Sequence, residues 1–248
     1  MAGRGDLQQL SADWTTLGAE DPLWAVYVAP GTRGGRWDVD AFFALGRAEV
    51  DRVLGQLDGL GLRPGRRLAV DFGCGVGRLS AALARHVEEV VGVDLAPSML
   101  AEARRLDRGD GRVRFLLNAE PDLRFLADGS VDLVYSSLVL QHLGRGLAVR
   151  YLREFARVLK PGGAAVFQVA DRPRRSLPGL VIRLLPWPVL RWVQRRLLGY
   201  PAPMRMSALR RRDVERALAG TGARIVAAVP DDSYGGHWTA VRYYVTRP

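Results

Sequence analysis

The chain has one cysteine, one lysine and three histidines in 248 residues. A lone cysteine, Cys74, excludes an intrachain disulfide framework. Three scattered histidines and one cysteine are too few for a zinc site, so no metal is expected. No apolar run reaches the roughly 18 residues of a membrane span. The opening residues, MAGRGDLQQLSADW, lack the apolar stretch of a secretory signal. A reducing cytoplasm is the expected location.

Hydrophobic residues make up 48% of the chain, ample for a core. The formal charge is +10, and Lys160 is the only cation that is not arginine. Arginines occur in every part of the chain, so the charge is expected to be dispersed. Nucleic acid and peripheral membrane contact are therefore only secondary expectations as partners.

Residues 1–37 read as irregular, with Pro22, Pro30 and the turn-rich PGTRGGRWD. They hold Trp14, Trp24, Tyr27 and Trp37, too many aromatics for a disordered tail. Asp38 or Asp40 can cap a helix running to about Leu60. From there strands and helices alternate. Strands are expected at RLAVDF, EVVGVDL, VRFLLN, SVDLVYSS and AAVFQVA, with helices at 78–87, 96–106 and 144–159. That alternation implies a parallel sheet. ARIVAAV and TAVRYYVT, joined by a short link, predict an antiparallel pair at one end.

The first strand runs into Gly73, Gly75 and Gly77. Glycine lets the backbone take unusual dihedrals and lets a ligand approach closely. A dinucleotide fingerprint is G-x-G-x-x-G, but here its third small position is Arg78. A pyrophosphate would also be opposed by Asp71. S-adenosylmethionine, with an ammonium and a sulfonium, would be favoured by that carboxylate. Asp94, at the end of the next strand, suits both hydroxyls of a ribose.

The ordered set resembles the class I S-adenosylmethionine-dependent methyltransferases of small-molecule type. VDFGCGVGRLS looks like their first motif and VVGVDLAPSML like their second-strand acidic motif. FLLNAEPDLRF, SVDLVYSSLVLQHL and FARVLKPGGAAVFQV resemble their later motifs, together covering about residues 60–170. The resemblance implies an α/β fold with a doubly wound seven-stranded sheet, mostly parallel with an antiparallel last strand. It implies one domain over 1–248, with the cofactor core at 61–171. Residues 172–206, broken by Pro178, Pro186 and Pro188, read as a helical lid insertion, with helices packed on the core or contact with a membrane surface as the alternatives.

The resemblance also implies roles. The loop of Gly73, Cys74, Gly75 and Gly77 would cradle the methionine part of the cofactor, with Asp71 facing its ammonium. Asp94 would hold the ribose, and Leu95 and Met99 would lie against adenine. Asn118, where the family usually has Asp, would accept from the adenine amino group. Ala119 would donate to the ring, with Glu120 beside it. Ser136 would lie at the methionine end, while Asp132 would serve the sheet. His142 is a candidate base or a shaper of the site, and Asp171 and His237 are weaker catalytic candidates. Trp24 and Tyr27, with His142, are candidate acceptor contacts. The expected activity is O-methylation of a small molecule in natural-product or glycoconjugate biosynthesis. An RNA methyltransferase and a non-catalytic cofactor-binding protein are the alternatives.

Overall fold

Apolar β-branched runs and the glycines between them build the sheet seen in the computed structural model, which describes residues 4–174, 184–231 and 237–248. Three helices come first: α1 (Arg4–Glu20), α2 (Pro22–Val26) and α3 (Val39–Gly59). Then follow β1 (Leu68–Phe72), α4 (Arg78–Leu83), β2 (Glu89–Asp94), α5 (Pro97–Arg105), β3 (Val113–Leu117) and β4 (Val131–Ser136). The remainder is α6 (Arg145–Val158), β5 (Leu159–Pro173), α7 (Trp187–Arg196), α8 (Arg211–Leu218), β6 (Arg224–Asp231) and β7 (Trp238–Thr246).

The sheet order is β3-β2-β1-β4-β5-β7-β6. β7 runs antiparallel to both β5 and β6, and the other pairings are parallel. The seven-stranded class I arrangement expected from the sequence is the one found. Chain order reverses at β1 and β4, so the crevice beyond their carboxyl ends is the natural ligand position. One face of the sheet packs on α6 and α8 through Phe72, Leu152, Phe155, Phe167 and Val214. The other packs on α3 and α4 through Val50, Val53, Leu57, Leu79 and Leu83.

Local chemistry explains the element ends. The Asp38 carboxylate accepts from the Ala41 amide at 2.7 Å and caps α3. Asp132 serves the sheet, as expected. One of its oxygens accepts from the Leu68 amide and the other from Lys160, both at 2.8 Å. α4 ends at Leu83, four residues earlier than its apolar pattern suggested.

The N-terminal segment departs from the expected irregular chain. Leu7, Leu10, Trp14 and Leu17 recur at helical spacing along one face of α1, and Leu7 and Leu17 are buried. Pro22 does not break the chain into coil. It occupies the first turn of α2, where a missing N–H costs nothing. Two hydrogen bonds tie α1 over the end of β2: Ser11 donates to the Leu95 carbonyl and Ser98 to the Thr15 carbonyl, each at 2.7 Å. Of the expected lid at 172–206, residues 175–183 lie outside the described residues.

Candidate functional site

β1 delivers Phe72 to the crevice and turns at once into glycine. Gly73 has φ +75° and Gly75 φ +53°, both left-handed. A Cβ at Gly73 would fall on the Val139 side chain, and one at Gly75 would come within 2.6 Å of Val26. The bare backbone is therefore required by sterics as well as by dihedral. A cavity opens here, lined by Gly73, Gly75, Asp94, Leu95, Met99 and Asn118 on the sheet side. Ser137, Leu138, Val139 and His142 line the next wall, and Leu10 and Trp14 of α1 close it from above.

Among the described residues, Asp94 is the only carboxylate in that lining. Its oxygens accept from the Gly75 amide at 2.8 Å and the Ala96 amide at 2.9 Å. Burial nevertheless raises its pKa above the usual carboxylate value. A carboxylate oxygen has about two lone-pair sites, so each can accept once more from a ligand hydroxyl. Leu95 and Met99 supply an apolar wall beside it. Bare glycine backbone, one carboxylate and an apolar slot fit an adenosyl group bearing a positive sulfur, the chemistry expected from the sequence.

Other candidate residues fall elsewhere. Asp71 points to the opposite face from Phe72, as strand alternation demands. It accepts from Ser80 at 2.6 Å, and burial pushes its pKa up to about 7. It does not line the cavity. Ser136 is likewise turned away, its hydroxyl donating to the Phe72 carbonyl at 3.0 Å; Ser137 takes the cavity position instead. Cys74 is buried against Leu100, Ala103 and Phe115, and burial raises its thiol pKa, so it is packing and not a nucleophile. Gly77 caps α4 with φ +80°.

Asn118 lines the cavity, but its amide is engaged in its own turn. It donates to the Asp122 carbonyl at 2.9 Å and accepts from the Glu120 amide at 3.2 Å. Ala119 and Glu120 are exposed and do not line the cavity. Asp171 and His237 do not reach the cavity. Strand β5 continues past Ala170 to pair with β7, so Asp171 and His237 sit beside the β5–β7 pair and outside the cavity lining. Asp171 lies 3.4 Å from Arg172 there. Trp24 and Tyr27 do not line it; from α2 it is Val26 between them that does, while both rings pack on other aromatics. Trp24 meets Tyr200 edge-on with centroids 5.0 Å apart, and Tyr27 meets Trp37 at 6.1 Å.

His142 does reach the cavity, and it also borders a second one. Leu10, His142, Trp187, Arg191 and Arg205 belong to that neighbour, which lies between α1 and the α7 region. The His142 ring meets Trp14 edge-on at 4.9 Å. Its Nδ1 is 2.7 Å from the Arg205 carbonyl, which fixes the proton on that nitrogen. Burial lowers its pKa to about 4, against the opposing effect of that hydrogen bond.

A buried polar network supports the cavity wall. One oxygen of Glu49, on α3, accepts from Ser137 at 2.7 Å, Tyr135 at 2.8 Å and Arg242 at 3.2 Å. Its other oxygen accepts from Arg78 at 3.0 Å. Gln168 accepts from the Leu138 amide at 3.1 Å, which helps hold Leu138 at φ +62°. No local sequence signal marks Glu49, since its partners lie up to 193 residues away.

Gly73→Ala should lower stability by about 1–3 kcal/mol, from a non-glycine residue held left-handed and from the collision with Val139. Denaturant unfolding with and without S-adenosylhomocysteine checks it; an alanine variant as stable and as tight-binding as the parent would contradict the cradle.

Comparison with known proteins agrees with this geometry. Residues 70–167 match the model of a methyltransferase domain. A ubiquinone biosynthesis O-methyltransferase of Xanthomonas oryzae pv. oryzae (strain PXO99A) is 32% identical over 161 residues, 60% of this chain and 64% of that protein. A malonyl-[acyl-carrier protein] O-methyltransferase of Laribacter hongkongensis is 40% identical over 137 residues, 52% of this chain and 45% of that protein. This chain thus matches less than two thirds of the length of either relative. Among solved structures, the magnesium protoporphyrin IX methyltransferase of Synechocystis PCC 6803 with bound S-adenosylmethionine aligns with a TM-score of 0.64 at 19% identity. It covers 98% of this chain and 97% of that one.

Proposed function

With residues 70–167 a methyltransferase domain and the whole sheet of the class I fold, we propose that this chain transfers a methyl group from S-adenosylmethionine to the oxygen of a small-molecule acceptor. The observation that carries this reading is the cavity at the ends of β1, β2 and β4. It joins a glycine cradle, one ribose-directed carboxylate and an apolar slot, and α1 shields it from water. S-adenosylmethionine, when bound, supplies a methyl group already activated on a sulfonium.

The chain's own part is then chiefly positioning, which can supply on the order of 7–11 kcal/mol of a barrier. Gly73 and Gly75 admit the methionine portion, Asp94 takes the ribose, and Leu95 and Met99 flank the base. The second cavity, reached past His142, is the acceptor's place. The two relatives described above, at 32% and 40% identity, are named as O-methyltransferases, which supports oxygen as the methylated atom.

His142 orients the acceptor. With Nδ1–H committed to Arg205, its lone pair is on Nε2, which accepts from the Gln141 amide nitrogen at 3.2 Å. A ring with pKa about 4 is neutral at physiological pH, and its conjugate acid is too strong for it to hold an acceptor's proton well. His142→Ala should therefore lower kcat by about tenfold, short of the roughly 10²–10⁴ of a lost general base. The wild-type profile should show no step near pH 6.5, because the ring is already neutral there. A rise through pH 6–7 that disappears in His142→Ala would reverse this assignment.

Incubation of the purified chain with S-adenosylmethionine labelled in the methyl group and a fractionated cell extract tests the activity. Label is expected in a small organic product, identified by mass spectrometry as a methyl ether or ester. Label in nucleic acid, or none in any fraction despite tight S-adenosylhomocysteine binding, would overturn it.

A further inference from the structure

The cationic residues are not dispersed once the acids are counted beside them. Residues 172–212 contain eleven arginines and no aspartate or glutamate, whereas the other residues hold twenty-five cations and twenty-six acids. The net positive charge of the whole chain therefore resides in this one segment.

The same segment exposes apolar side chains. Among the described residues, ten large hydrophobics are exposed, and five of them are Leu184, Val189, Trp192, Leu197 and Leu198. Helix α7 buries none of its side chains. Its inner stripe, Trp187, Leu190, Val193 and Gln194, is partly covered, and Gln194 is tied to the Met204 backbone by bonds of 3.0 and 3.1 Å. Its outer stripe presents Val189 and Trp192 between Arg191, Arg195 and Arg196. Arg33 donates to the Leu198 and Gly199 carbonyls, fastening the end of the helix to the body. The outer face is thus held in place, with Asp13 of α1 interacting electrostatically with Arg191 and Arg195, while Val189, Trp192 and Arg196 are left exposed.

We propose that this face docks on an anionic phospholipid surface. A helix with arginines beside Trp and Leu lies in the plane of a membrane interface, the apolar groups entering the headgroup boundary and the cations meeting lipid phosphates. A nucleic acid would use the arginines, but it offers four exposed aliphatic side chains no apolar environment. Docking brings Arg191, which is exposed and borders the second cavity, close to the lipid. A lipid-soluble acceptor could then pass to the methyl donor without crossing water; that last step alone rests on the methyl-transfer reading.

Co-sedimentation of the full chain with phosphatidylcholine vesicles, with and without phosphatidylglycerol, is the test. Binding is expected only to the phosphatidylglycerol vesicles, and it should weaken as salt is raised. The apolar triple variant Trp192→Ser, Leu197→Ser, Leu198→Ser and the charge variant Arg195→Gln, Arg196→Gln should each bind about tenfold or more weakly. Calorimetry with S-adenosylhomocysteine accompanies each protein and is expected to give one affinity for all three, showing that the variants are folded. Equal binding to neutral vesicles, no binding at all, or wild-type binding by the charge variant would overturn the proposal. So would tighter binding to polyuridylic acid than to the vesicles. Failure of the parent chain to bind S-adenosylhomocysteine would instead count against the methyl-transfer reading and leave the vesicle result standing.

Discussion

Replacing Asp94 with alanine should weaken S-adenosylhomocysteine binding by about a hundredfold or more while the sheet stays folded. Hydrogen bonds to a charged group contribute about 1.5–3 kcal/mol each, and about 1.4 kcal/mol is a factor of ten. Two bonds to ribose hydroxyls therefore set the scale. A second effect adds to it. The carboxylate also braces the cradle through the Gly75 and Ala96 amides, at 2.8 and 2.9 Å, and both amides lose that partner in the variant. Asp94→Asn keeps the shape and one acceptor oxygen, so it should fall between parent and alanine. Calorimetry with S-adenosylhomocysteine and, separately, with NAD⁺ measures this. An alanine variant with undiminished affinity, or a parent chain that prefers NAD⁺, would remove the cofactor assignment.

The largest expected loss of stability is at a residue far in sequence from the glycine loop. Glu49→Ala should cost about 3–5 kcal/mol, because Arg78 is then left buried without its counter-charge and Arg242 keeps only Asp231 of its two carboxylate partners. For a chain of this size that corresponds to a fall in Tm on the order of 10 °C, readable by calorimetry. Burial alone would raise the Glu49 pKa, but the two arginines and the Ser137 and Tyr135 hydroxyls outweigh it and hold the group at about 2, from an ordinary 4.5. The sign of the pH effect follows. The unfolded chain binds this proton more readily, so the stabilisation is complete above about pH 4.5 and fades as pH falls toward 2. Glu49→Ala should lose that acid-dependent part of the stability curve. If the variant melts like the parent at neutral pH, the network is not what holds the wall formed by Ser137 and Leu138.

Much of this molecule was legible before its coordinates. Strand-length apolar runs separated by helical spacings located all seven strands, since a strand's pattern is local. The glycine loop and Asp94 were readable for a related reason: backbone conformation at Gly73 and Gly75 is a local demand, and Asp94 is placed by where its own strand stops. His142 follows the same logic, five residues past Ser137.

Other parts were hidden by proline or by distance. The helical spacing of Leu7, Leu10, Trp14 and Leu17 was present, but Pro22 and Pro30 suggested coil. Trp24 and Tyr27 drew attention as large aromatics, yet α1 places Trp14 over the cavity instead. Asp71 and Ser136 belong to the right motifs, but alternation along β1 and β4 turns both side chains away.

Sequence by itself determined the order of strands and helices, the bare loop after β1 and the carboxylate after β2, because each is fixed by neighbours within a few residues. It also determined the charge, all of it in one acid-free stretch. Tertiary structure alone decided that Glu49 joins Arg78 to Arg242, that α1 roofs the cavity, and that Val189 and Trp192 face outward among the arginines. The reason is physical. Those relations join residues tens to hundreds of positions apart, and only packing of whole elements, driven by burial of their apolar faces, brings such residues together or leaves them exposed.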